Sequence, residues 1–173
     1  MTYRVLLVDD HPVVLTGLAK FLEAEADIEV VGQAKSGPEA VQLTRDLRPD
    51  VVILDYSMGD LDGTQVIGKL IDSHTHLGVI IFSVHESVHY VTQAMRAGAR
   101  GFVVKGDEVD ELVEAIRVVG DRGNYITPRL QGDVARQLIG AETKKSGLAL
   151  LSPREFELVR CRVQGMTLKR AAD

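Results

Sequence analysis

Five polar side chains close four apolar runs of this chain. Asp9 and Asp10 follow VLLV (5–8), Asp55 follows VVIL (51–54), Ser83 follows VIIF (79–82) and Lys105 follows FVV (102–104). Burying an isolated carboxylate costs several kcal/mol unless it is paired or bound to a metal. An acid at the end of a buried run therefore marks a rim open to solvent or a partner of opposite charge. Three carboxylates brought together repel one another, each pair by about 4 kcal/mol at 4 Å with an effective dielectric near 20. One divalent cation and the Lys105 ammonium would cancel their charge. A hard, oxygen-only site that keeps waters suits Mg²⁺, which in such sites holds phosphate oxygens. A carboxylate facing that cation can act as a nucleophile toward phosphorus. Asp55, alone at the end of its run, is the candidate.

These groups meet only if the elements that carry them end at one edge. The four runs are rich in β-branched residues and do not alternate with polar ones, the pattern of parallel strands covered on both faces. A fifth, more mixed run, IEVVGQA (28–34), reads as an edge strand. Between the runs lie stripes of helical period: Leu15, Leu18 and Leu22; Ala40, Leu43 and Leu47; Ile67, Leu70 and Ile71; Val88, Val91 and Met95; Val109, Leu112, Val113 and Ile116. Strand and helix thus alternate five times in about 120 residues, which predicts an α/β fold, a doubly wound parallel sheet in a single domain. Ligands of such sheets bind beyond the carboxyl ends of the strands. All five polar residues fall there.

Composition sets the bounds. With 45% hydrophobic and 26% charged residues the chain has the make-up of a soluble globular protein. No apolar run reaches the roughly 18 residues of a membrane span, and MTYRVLLVDD is not a signal peptide. The single cysteine, Cys161, forms no internal disulfide and reads as a plain helix residue. A cytoplasmic location is the expectation, with no membrane partner. The net charge of −5 conceals a split: residues 1–122 hold 11 basic against 20 acidic side chains, and residues 123–173 hold 9 against 5. An acidic module unsuited to nucleic acid is followed by a basic one.

VLLVDDHP, VVILDYSMGDLDG, the Ser of IIFSVHES and the Lys of GFVVKGD together resemble the receiver domain of response regulators, and the DDHP start resembles the NarL/FixJ subfamily. The resemblance covers roughly residues 3–122. It implies a flavodoxin-like, five-stranded sheet of order 2-1-3-4-5. It further implies that Asp55 accepts a phosphoryl group from the phosphohistidine of a sensor histidine kinase. Asp10, Asp55 and the Ser57 carbonyl would ligate Mg²⁺, Asp9 would act through water, and Ser83 and Lys105 would contact the phosphoryl oxygens. Phe102 stands where the family keeps an aromatic switch that turns inward as Ser83 moves toward the phosphate; ordinary strand-end packing is the other reading of it. The face formed by residues 86–122 would serve dimerisation or output, with a homodimer on activation. One position departs from the family pattern: Gly59 replaces the usual Pro, which loosens that loop.

After residue 122 the pattern changes. TPRLQGDVARQLI (127–139) reads as a short helix with Thr127 as cap and Pro128 in first place. GAETKKSG (140–147) is small and polar and reads as linker. The segment from 148 on, through LSPREFELVRCRVQGMTLKRAAD (151–173), resembles the opening of a LuxR-type helix-turn-helix domain, with Ser152 and Glu155 as a capping box. The sequence stops inside the second motif helix, before a recognition helix. Arg154, Lys169 and Arg170 are candidates for DNA-phosphate contacts, which position a protein without specifying sequence; a solvated helix face explains them equally. No sequence-specific DNA binding is expected of these 173 residues. Two rival readings stand beside this one. DLDGT (60–64) matches the signature of haloacid-dehalogenase-type phosphatases, but that signature must follow directly on a buried strand, and here the strand ends at Asp55. A phosphorylation-independent pseudo-receiver, acting only through protein contacts, is the other. A multiple-turnover enzyme is not expected. His74 with His76, and His85 with His89, are too few for a metal site.

Overall fold

The computed structural model describes residues 1–58, 63–74 and 76–144. Gly59 and the DLD of DLDGT therefore lie outside the described residues. So does everything from residue 145 on, including the proposed helix-turn-helix start with Arg154, Lys169 and Arg170.

Strand and helix alternate as the runs predict: β1 (Tyr3–Val8), α1 (Pro12–Leu22), β2 (Ile28–Ala34), α2 (Gly37–Leu47), β3 (Val51–Asp55), α3 (Gly63–Ser73), β4 (Gly78–Ser83), α4 (Val88–Ala97), β5 (Gly101–Val104) and α5 (Val109–Gly120). All strand pairs are parallel, in the order β2-β1-β3-β4-β5. IEVVGQA is indeed the edge. Because successive side chains of a strand point to opposite faces, each uniform apolar run divides between two cores. Leu6, Val8, Val52, Leu54, Val79, Ile81, Phe102 and Val104 face α2, α3 and α4. Val5, Leu7, Val51, Ile53, Ile80 and Val103 face α1 and α5. The absence of alternation in the sequence is the signature of this two-sided burial.

The helix stripes are buried or half-buried with one exception. Leu112, Val113 and Ile116 of α5 are in the core, but Val109 is 44% exposed; it is the first residue of the helix, ahead of the turn that meets the sheet. Gly98 closes α4 with φ of 108°, a left-handed position that a side chain would strain. At Gly101 a Cβ would lie 2.7 Å from Ile80, so β5 can approach β4 only without one.

Two expectations about the following segment are corrected. The sheet has six strands: β6 (Tyr125–Ile126) pairs in parallel with β5. A two-residue strand is too short to show a period in sequence. The helix that follows, α6 (Pro128–Lys144), continues through GAETK, where a linker was expected; Ala, Glu and Lys are good helix formers. Nor does α6 stand apart. Ile126, Leu130 and Val134 are buried in the same core as Val91 and Met95 of α4, and the Tyr125 hydroxyl donates to Glu111 at 2.9 Å. The compact unit therefore extends past residue 122. No helix among the described residues is long and apolar enough to cross a membrane.

If β6 and α6 belong to this core, Leu130→Ala will destabilise the whole sheet domain by about 2–4 kcal/mol, the usual cost of truncating a buried leucine. Denaturant unfolding of the chain measures it; a loss near zero would make α6 an appendage.

Candidate functional site

The topology reverses direction at β1, whose neighbours are β2 and β3, and the crevice of an open α/β sheet opens at such a switch point. Asp9 and Asp10 leave β1 there. Asp55 is the last residue of β3 and Ser83 the last of β4. Lys105 directly follows β5, its N–H bonded to the Ser83 carbonyl at 2.8 Å. The sequence-predicted set therefore converges at one rim.

Lys105 is the centre of the arrangement. Its Nζ lies 2.7 Å from Asp9 Oδ2 and 3.0 Å from Asp55 Oδ2, and 5.6 Å from the centre of the Phe82 ring. Asp9 and Asp55 are buried, Asp10 is exposed. Asp9 Oδ1 accepts the His11 N–H at 2.8 Å, and Asp55 Oδ1 accepts the Ser57 N–H at 3.0 Å. Ser83 is fully buried, its Oγ accepting the His85 N–H at 3.1 Å. Phe102 is fully buried as well, its ring in the core shared by α4 and α6.

Burial works against the Lys105 ammonium, but the hydrogen bonds and charges of Asp9 and Asp55 outweigh it and hold its pKa above the ordinary lysine value. Burial likewise opposes the Asp9 carboxylate. The bonds from Lys105 and from the His11 N–H prevail, and its pKa lies below the ordinary aspartate value. One ammonium thus serves two buried carboxylates, and Asp10 remains beside them.

His11, next in the chain after the acid pair, bridges the two acids: its Nδ1 lies 3.0 Å from Asp9 Oδ1 and 2.8 Å from Asp10 Oδ1. It is also the N-cap of α1, its ring turned to the acids rather than to the helix. One atom each of Asp9, Asp10, His11 and Asp55 lie within 4.8 Å of one another. Among the described residues this is the one cluster that could hold a metal ion; neither His74 with His76 nor His85 with His89 enters such a group. A cleft of about 330 Å³ opens beside Asp55, lined among others by Asp10, Lys35, Tyr56 and Met58. A second feature escaped sequence reading. Tyr56, next to Asp55, sets its ring edge-on to Tyr90 of α4 at 5.7 Å, and Tyr90 stacks on His85 at 4.6 Å. The loops after β3 and β4 are thereby linked by aromatic contact.

The sequence matches the response regulator receiver domain over residues 5–117. The chain belongs to that family. Among its relatives, the response regulator GacA of Pseudomonas viridiflava is 37% identical over 155 residues, covering 90% of this chain and 72% of GacA. The response regulator UvrY of Escherichia coli is 34% identical over 170 residues, covering 98% and 78%. A two-component response regulator of the LuxR family from Aurantimonas sp. SI85-9A1 superposes with a TM-score of 0.76 at 29% identity, over 80% of this chain and 99% of that one. The signal receiver domain of the putative response regulator NarL from Mycobacterium tuberculosis gives 0.64 at 34% identity, over 69% and 96%. The NarL/FixJ-type receiver expected from the four motifs is what these matches support.

Two expected outcomes follow from the Lys105 bridge. Lys105→Met strands two buried carboxylates and lowers stability by about 3 kcal/mol in the presence of a chelator; unfolding curves should recover part of that loss when a divalent cation is added. The acid side of the stability profile belongs in part to Asp9. Since its folded pKa is depressed, the stability it contributes is present above the unfolded value of about 3.9 and disappears as pH falls through the folded value. Asp9→Asn should therefore flatten the acid limb of unfolding free energy against pH, and an unchanged limb would remove Asp9 from that role.

Proposed function

We propose that Asp55 is the phosphoacceptor of a Mg²⁺-dependent receiver, charged by the phosphohistidine of a sensor histidine kinase. The observation that carries this reading is the Lys105 ammonium shared between Asp9 and Asp55 with Asp10 beside them: three carboxylates, one fixed cation and room for one divalent ion. The donor set is oxygen from carboxylates at an open rim, which fits Mg²⁺. Asp10, Asp55 and the Ser57 carbonyl would hold the ion, and Asp9 would act through water. When bound, Mg²⁺ offsets the carboxylate repulsion and draws charge from the phosphoryl oxygens.

The chain's own groups do the rest. An Asp55 carboxylate oxygen attacks phosphorus in line; the new O–P bond forms as the P–N bond to the donor imidazole breaks, and the departing imidazole keeps the bonding pair and takes a proton. Lys105 exchanges its bond to Asp55 Oδ2 for a phosphoryl oxygen while retaining Asp9. The Ser83 hydroxyl donates to a second phosphoryl oxygen, drawing the loop after β4 toward the site. Phe102 is the aromatic whose inward position accompanies that movement. Each chain takes up one phosphoryl group and later loses it to water, so this is a signalling switch rather than a multiple-turnover enzyme.

Phosphorylation shifts an existing equilibrium of the domain, favouring a homodimer. The face first assigned to that contact, residues 86–122, is shared in this fold with β6 and α6. A cytoplasmic setting follows from the kinase partner. The receiver of residues 1–122 carries β6 and α6 on its core, and residues 148–173 belong to a DNA-binding module of the helix-turn-helix type that serves transcription.

Intact-mass spectrometry after incubation with acetyl phosphate and Mg²⁺ tests the reading. One added phosphoryl group is expected, absent from Asp55→Asn and from a chelated sample. No adduct on a chain that still binds Mg²⁺ would leave the pseudo-receiver, a module acting by protein contact alone.

A further inference from the structure

Arg129, in the first turn of α6, reaches two loops at once. Its Nε donates to Asp107 Oδ1 at 2.8 Å and its Nη1 to Glu86 Oε2 at 2.8 Å. Glu86 lies three residues beyond Ser83, and Asp107 two beyond Lys105. Both loops are short and internally tied, the first by the His85 N–H to Ser83 Oγ and the second by the Asp107 N–H to the Val104 carbonyl. A force on either acid is thus delivered to a residue of the site.

The start of α6 also holds the strand between them. The Thr127 N–H donates to the Phe102 carbonyl at 3.0 Å, and Thr127 Oγ1 accepts the Val104 N–H at 3.3 Å. The Phe102 ring is buried in the core that Ile126, Leu130 and Val134 complete. An outward swing of Phe102 would have to disturb that packing.

Exposure of the three side chains decides what the fork can do. Arg129 and Glu86 are 42% and 58% exposed, whereas Asp107 is 14% exposed. Exposed pairs add little to global stability. A planar guanidinium bridging two loops fixes their relative position all the same, because its donors have a rigid geometry.

Resting on the phosphoacceptor reading above, we propose that Arg129 is a positioning residue that couples the docking of α6 to the state of Asp55. Docked α6 holds the Ser83 and Lys105 loops together with Phe102 inward, the arrangement the phosphorylated site requires. Coupling of this kind is reciprocal: occupation of Asp55 tightens α6, and loosening α6 weakens the occupied site.

Hydrogen exchange of residues 127–137, in the 173-residue chain with Mg²⁺, reads the coupling directly. The probe is beryllofluoride, a phosphoryl mimic, with its binding followed by fluorine NMR. In the unmutated chain the mimic should slow exchange of α6 by about fivefold or more, the lower end of ordinary allosteric coupling. Arg129→Ala should lose most of that slowing while keeping its thermal midpoint within a few degrees, and Glu86→Gln should lose part of it. Arg129→Lys, which keeps the charge but lacks the rigid planar fork, should restore little. Mimic binding with unchanged α6 exchange, or an Arg129→Ala chain that responds as the unmutated one does, would overturn the coupling alone. Failure of the mimic to bind the unmutated chain would overturn the phosphoacceptor reading and the coupling with it.

Discussion

The Lys105 ammonium between Asp9 and Asp55 is the interaction on which the rest of this structure depends. Buried carboxylates of like charge cannot share a rim without a cation, and the fold supplies one from the far side of the pocket, 96 residues along the chain. That pairing brings the ends of β1, β3 and β5 to a common point. It also leaves the site short of neutrality, since Asp10 adds a third negative charge beside the one ammonium that bridges Asp9 and Asp55. The electrostatic deficit is the basis of affinity for a dication and, through it, for a phosphoryl group.

Parallel topology makes this convergence possible. In a parallel sheet all strands finish at the same edge, so residues far apart in sequence become neighbours if each ends its strand. The period-two division of each apolar run between the α2–α3–α4 and α1–α5 cores anchors those ends in register. Asp55 pairs with Phe82, and Lys105 hangs from the Ser83 carbonyl. The reactive groups are thus placed by backbone hydrogen bonds and a packed interior rather than by a flexible loop. β6 and α6 extend the same logic outward, bringing Arg129 against the loops that follow two of these strands.

Much of this was legible in the sequence because charge at the end of an aliphatic run is costly and therefore informative. Asp9, Asp10, Asp55, Ser83 and Lys105 could be grouped before any coordinates, and the sheet order came with the resemblance. What was not legible has physical reasons. Tyr125 and Ile126 form a strand too short to carry a period. The small, polar composition of residues 140–144 suggested a linker although those residues continue a helix. Val109 fits the apolar stripe of α5 by spacing, but it sits at the helix start and projects into solvent. The His11 bridge, the Tyr56–Tyr90–His85 contacts and the Arg129 fork are side-chain geometries without a sequence period, and Arg129 lies 43 and 22 residues from its partners.

The central claim is that the acidic rim is an unbalanced charge cluster built for one dication. Calorimetric titration of the chain with Mg²⁺, beside Asp10→Asn and Asp55→Asn, tests it most directly. The account predicts one ion per chain, with affinity reduced at least tenfold by either substitution, as removal of a ligand requires, and with both variants still folded. Binding that survives both substitutions unchanged, or no binding by the unmutated folded chain, would contradict it.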